Sequence, residues 1–241
     1  MFAKQVSLLF RHPTDNAILH YLLYLPEAYH QHQNKAWPLV LFLHGGGERG
    51  NSEDALIKVT THGIARLIEE GQSFPFVVVS PQCPAEEWWT EKIDVLRSLL
   101  DEIEQTYVID RDRVYVTGLS IGGFGTWAMA IAQPYRFAAI APICGGGDPA
   151  QVCTIKHIPV WNFHGAQDTK VPLQRSVEMV EALKACGGNV RFTLYPDAKH
   201  NAWTRAYADP ELYTWLLSHR RKPQMDSYNT PPEQREQGTE T

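Results

Sequence analysis

A serine enclosed by glycines stands at Gly118-Leu119-Ser120-Ile121-Gly122-Gly123, directly after the apolar run 114–117. A hydroxyl is a weak nucleophile unless a base takes its proton and a third group orients that base. The pattern G-x-S-x-G belongs to a sharp strand-to-helix turn, where backbone passes so close that side chains two positions either side of the serine would clash. The glycines then act as steric clearance, and the Ile121 N–H lies at a helix N-terminus, where negative charge is favoured. An ordinary glycine-rich turn is the competing reading, and the pentapeptide alone does not separate the two.

The rest of the chain does. The apolar run 160–163 leads into His164-Gly165-Ala166-Gln167-Asp168, and the run 190–195 leads into Pro196-Asp197-Ala198-Lys199-His200. Both place an ionisable group past the carboxyl end of a predicted strand, the edge at which the loops of an open parallel sheet converge. Ser120 as nucleophile, Asp168 as acid and His200 as base follow the chain order of triads in such sheets. Asp197 is the rival acid, but it shares a loop with His200, whereas the acid should reach the far ring nitrogen from a separate loop. Upstream, the run 39–43 empties into His44-Gly45-Gly46-Gly47-Glu48-Arg49-Gly50. Its unobstructed N–H groups suit a developing oxyanion, with Gly46 and Ile121 as the expected donors. A P-loop is the alternative, but no Lys-Ser/Thr follows.

These loops need a sheet to present them. Strands are predicted at 5–11, 18–25, 39–43, 76–80, 114–117, 137–141, 160–163 and 190–195, the first two as an edge hairpin and the last six as apolar runs covered on both faces. Helices are predicted at 93–107, 122–132, 176–186 and 210–219, from apolar spacing, glycine stops and the Asp209-Pro210 cap. Alternation of the two gives an α/β fold with an eight-stranded, mostly parallel sheet and helices on both faces. Residues 1–221 read as one domain, and the polar, proline-bearing tail 222–241 as disordered. Only residues 143–158 separate the sixth and seventh strands, which leaves no room for a large cap domain.

Composition narrows the partners. A net charge of -5 gives no positive field for nucleic acid, and no apolar stretch reaches the ~20 residues of a membrane span. The start of the chain lacks a signal-peptide core, so the expected location is cytoplasmic. Cys83, Cys144, Cys153 and Cys186 are widely spaced and read as free thiols of a reducing compartment, with Cys144–Cys153 the one local pairing to test. Ten histidines include no HExxH or other tight helical pair, so no metal and no cofactor is expected. A small-molecule substrate is the expected partner, with a homodimer left open. His44 and His164 each close a strand and are expected to bond loop backbone; Asp110 and Arg113 are expected to pair. Trp88, Trp89 and Trp203 fall in loops, where they either pack or wall a substrate pocket.

The segments LFLHGGGERG, SPQCP, DRDRVYVTGLSIGGFGTWAMA, FAAIAPICGGG, HGAQDTKVP and Asp-Ala-x-His occur in an order that resembles the α/β-hydrolase fold. Within it they are similar to the small bacterial carboxylesterases of the phospholipase/carboxylesterase group, near feruloyl esterase and polyhydroxybutyrate depolymerase-like proteins. The similarity spans about residues 18 to 219. It implies a serine carboxylesterase acting through an acyl-enzyme on short-chain, soluble or aromatic esters, with Ser120, His200, Asp168, Gly46 and Ile121 in the roles given above. Many members have methionine where this chain has Ile121; the backbone N–H is the working part, so activity is expected to survive. A serine peptidase, acylaminoacyl-peptide hydrolase or non-catalytic binding module on the same fold are the alternatives.

Overall fold

Short aliphatic runs become strands because neighbouring runs can bury them on both sides. The computed structural model describes residues 5–32 and 34–221, so the expected tail at 222–241 lies outside the described residues. The strands are β1 (Val6–Arg11), β2 (Ile18–Tyr24), β3 (Trp37–Leu43), β4 (Val77–Pro81), β5 (Ile109–Leu119), β6 (Ala139–Ile143), β7 (Val160–Gly165) and β8 (Val190–Tyr195). They form one sheet in the order β1-β2-β4-β3-β5-β6-β7-β8. β1 pairs antiparallel with β2, and β2 with β4; the remaining pairs are parallel.

The helices are α1 (Gly63–Glu69), α2 (Ile93–Thr106), α3 (Ile121–Ala132), α4 (Gln174–Ala185), α5 (Trp203–Ala208) and α6 (Pro210–Ser218). Two cores result, one on each sheet face. Leu96, Leu100, Trp127, Met129, Met179 and Leu183 bring α2, α3 and α4 onto one. Ile64, Ala206, Tyr207, Leu212 and Leu216 bring α1, α5 and α6 onto the other.

β3, β4, β6 and β7 are buried along their whole length, as continuous apolar runs require. β8 is not, which corrects the expectation that all of the last six strands are covered on both faces. It is an edge strand with partly or fully exposed residues throughout, and Arg191 lies 3.6 Å from the centre of the Trp161 ring. β5 starts earlier than expected, at Ile109, past an irregularity opposite Trp37 and Leu39. Asp110 and Arg113 pair at 2.7 Å within that strand. Between β6 and β7 the chain forms only the short 3-10 turn Val152–Ile155, so no cap is inserted there.

The cysteine expectation is also corrected. Cys153 is bonded to Cys186, Cα to Cα 5.9 Å, while Cys83 and Cys144 are free and buried. The turn carrying Cys153 packs against the end of α4, a proximity that sequence spacing does not reveal.

The strand order reverses between β3 and β5: from β3 the chain moves outward to β4, then returns to the other side of β3. Loops leaving the carboxyl ends on either side of such a reversal open a crevice. The pairing Leu43↔Gly118 brings the glycine loop and Ser120 out side by side, and Gly165↔Tyr195 does the same for the loops that carry Asp168 and His200.

Candidate active site

Ser120 occupies the left-handed region, φ 55° and ψ −118°, between β5 and α3. A non-glycine residue there costs about 1–3 kcal/mol and persists only where its surroundings over-determine it. They do so here: its N–H donates to Ile143 O at 3.0 Å, and its carbonyl accepts from Gly123 and Phe124 at 2.8 and 3.2 Å. A Cβ on Gly122 would fall onto the Leu43 carbonyl oxygen, and one on Gly118 would meet both that oxygen and the Gly122 carbonyl. Glycine at both positions lets β3, β5 and α3 close around the turn.

The Ser120 hydroxyl lies 3.0 Å from His200 Nε2, and His200 Nδ1 lies 2.7 Å from Asp168 Oδ2. With Nδ1 facing a carboxylate, its N–H donates there, and Nε2 is left to accept the serine proton. Asp168 has a fully buried side chain whose Oδ1 accepts the N–H groups of Lys170 and Val171 at 2.8 and 3.0 Å. Burial alone would raise its pKa; the His200 hydrogen bond and the Val171 and Lys170 donors outweigh that and hold the carboxyl below the ordinary range. Asp197, the rival acid, is instead exposed and paired to Arg205 at 2.6 Å.

Gly46 begins the 3-10 turn Gly46–Glu48, and Ile121 begins α3, so neither N–H has an acceptor within its own helix. The two lie together: a Cβ placed on Gly46 would be 3.9 Å from Ile121 Cγ2. His44 anchors this loop. Its Nε2 accepts the Cys83 N–H at 2.9 Å, so its Nδ1–H donates to Gly45 O at 2.6 Å. Burial pushes its pKa down to about 4, leaving a neutral, structural ring.

Several neighbours are not legible in sequence. Glu48 is buried under the glycine loop, 3.9 Å from His44 Nδ1 and 3.8 Å from His62 Nε2, and burial raises its pKa. Cys144 directly follows β6 with φ 49°, and its sulfur gathers with ligand atoms of Asp168 and His200 within 4.8 Å of one another. Burial pushes the thiol up to about 12, so in the protein as it stands the sulfur is protonated beside Asp168.

The tryptophans divide. Trp89 is fully buried in the 3-10 turn Trp89–Glu91, with its indole N–H on His44 O at 3.0 Å. It packs beneath the glycine loop with no exposed surface, so of the two expected readings it takes the packing one and not the substrate-binding one. Trp88 is exposed and meets Phe124 edge-on at 6.3 Å. Trp203 starts α5 and stands edge-on to the His200 ring at 5.0 Å. Phe124, Ala128 and Ile131 of α3, with Gly146 and Arg175 opposite, line a cavity of about 400 Å³ that begins one helical turn from Ser120. Phe124 could have been found from its place four residues after the serine, one turn on along the same helix face.

A reversed strand order, a nucleophile turn and Ser-His-Asp hydrogen bonding at the carboxyl edge are the features of an α/β-hydrolase. The phospholipase/carboxylesterase family matches residues 27–214, and the chain belongs to that family. The bifunctional acetylxylan esterase/xylanase of Neocallimastix patriciarum is 29% identical over 188 residues, covering 74% of this chain and 26% of that protein. The poly(3-hydroxyoctanoate) depolymerase of Pseudomonas fluorescens is 26% identical over 212 residues, 71% of this chain and 74% of that one. A thermostable esterase of known structure superposes with TM-score 0.74 at 32% identity, over 90% of this chain and 64% of that chain. The chain thus spans about a quarter of the length of the first of these relatives. Among the described residues no helix is long and apolar enough to cross a membrane.

Proposed function

We propose that the protein is a serine carboxylesterase acting on short-chain, soluble or aromatic esters. The observation that carries this reading is the continuous line from the Ser120 hydroxyl through His200 to Asp168, at 3.0 and 2.7 Å. His200 takes the hydroxyl proton as Ser120 Oγ bonds to the ester carbonyl carbon. The resulting oxyanion is held by the N–H groups of Gly46 and Ile121, each such donor contributing about 3 kcal/mol of transition-state stabilisation. Collapse breaks the bond to the alkoxy oxygen, which leaves with the proton from His200, and the acyl group stays on Ser120. Water, deprotonated by His200, then attacks the acyl carbonyl; the acid departs and Ser120 recovers its proton. Asp168 favours the charged imidazole throughout. The sequence requires no cofactor.

The substrate class is supported by the open edge, where only a short turn stands between β6 and β7, and by the cavity beside Phe124. In this reading Trp88 and Trp203 contact substrate at the rim, and a phenylpropenoyl group fits the cavity. The test is hydrolysis of p-nitrophenyl acetate and butyrate and of methyl ferulate. Ser120→Ala is expected to lose at least about a thousandfold in kcat; turnover undiminished in that variant removes the assignment.

A further inference from the structure

His164 takes no part in the steps above, yet it touches the acid on which they depend. It lies in β7 with a fully buried side chain. Its Nδ1 is 2.8 Å from Ser176 Oγ, while its Nε2 is 3.0 Å from the Val171 carbonyl and 3.3 Å from Asp168 Oδ2. Two acceptors face Nε2 and no donor does, so a neutral ring carries its one proton there. Burial, which pushes the His164 pKa down, agrees with a neutral ring. Nδ1 then accepts the Ser176 hydroxyl proton, which Gly145 O shares at 2.9 Å.

The consequence lies in how Asp168 is held. Its Oδ1 is fixed by two backbone donors, Lys170 and Val171. Its Oδ2 has only His200 and His164 as close ring partners. The Cys144 thiol also reaches Asp168, but His164 supplies the one ring N–H that holds Oδ2 independently of His200, the ring that the acid has to orient. We propose that His164 is a positioning residue, whose Nε2–H shares Asp168 Oδ2 with His200 and the Val171 carbonyl and so fixes the carboxylate plane that aims His200 at Ser120. This rests on the triad reading above. The groups facing His164 are Asp168 from its own loop, Ser176 from α4, and, beyond the acid, Cys144 directly after β6 and His200 after β8.

The experiment compares wild type, His164→Phe and His164→Gln, with Ser120→Ala as control. Phenylalanine keeps the bulk and removes both ring nitrogens; glutamine can place an amide N–H near the Nε2 position. In His164→Phe, kcat is expected to fall about tenfold with KM changed by less than about twofold, the cost of an acid out of line. The acid limb of its pH–rate profile is expected to rise by about half a unit, because a carboxylate relieved of one donor holds the His200 proton more tightly. His164→Gln is expected to return kcat to within about threefold of wild type. Nitrogen-15 NMR of the wild-type protein is expected to find His164 protonated on Nε2 alone. Unchanged kcat and pH limb in folded His164→Phe would overturn the proposal. So would no recovery in His164→Gln, or a wild-type ring protonated on Nδ1. Should His164→Phe not fold, His164→Gln and the wild-type tautomer decide. The tautomer needs no turnover, so failure here is distinct from failure of the triad, which Ser120→Ala reports.

Discussion

Two buried carboxyls beside the candidate site respond to pH in opposite directions. Asp168 has a pKa lowered in the folded protein, so its contribution to stability is present above the ordinary aspartate range and is lost as pH falls through the folded value. Glu48 has a raised one, so the folded protein holds that proton more tightly than the unfolded chain. Its contribution is complete below the ordinary glutamate range and drains away as pH rises through the folded value. Glu48→Gln is therefore expected to match wild type in Tm near about pH 4 and to exceed it near about pH 8, a comparison that calorimetry makes directly. Asp168→Asn is expected to lose about 10⁴ in kcat with KM little changed, since it presents His200 with the wrong tautomer. At this scale the candidates Ser120, Asp168 and His200 stand out in the sequence because each lies a few residues past an apolar run and their chain order is distinctive. Glu48 and Cys144 do not, and His164 stands out only as a ring bonded to loop backbone. Their importance comes from which strand ends meet, and no local spacing encodes that.

At the scale of elements, α3 passes so near β3 that Gly122 has no room for a side chain. Gly122→Ala would drive a methyl group onto the Leu43 carbonyl oxygen. Because that obstacle is backbone, the turn itself must open. The variant is expected to lose both esterase activity and several degrees of Tm, whereas Gly47→Ala, where a Cβ meets nothing within 4 Å, is expected to keep the fold. The long elements were legible: α2 shows apolar residues at three- and four-residue spacing over 14 residues, and β3 and β7 are unbroken apolar runs. α1 and α5 were not, because 7 and 6 residues span too few turns for a period to emerge. β8 misled for another reason: its apolar residues look like an interior strand, while its place at the sheet edge was fixed by the strand order.

At the scale of the whole molecule, the Cys153–Cys186 bond ties the β6–β7 connection to the end of α4, 33 residues along the chain. Such a cross-link stabilises by about 3–4 kcal/mol through the entropy it removes from the unfolded chain. Alkylation of denatured, unreduced protein, followed by mass spectrometry, is expected to label Cys83 and Cys144 and to spare Cys153 and Cys186. The sheet has a further consequence. Ser120 and the proposed oxyanion donors lie past the ends of β3 and β5, the proposed acid and base past the ends of β7 and β8, and β6 alone lies between the two pairs. β6 meets β7 through two registered pairs, Ile140↔Val160 and Ile143↔Phe163. That seam sets how far proton acceptor and nucleophile can drift apart while each half stays intact, so on warming, turnover is expected to vanish several degrees before circular dichroism records any melting.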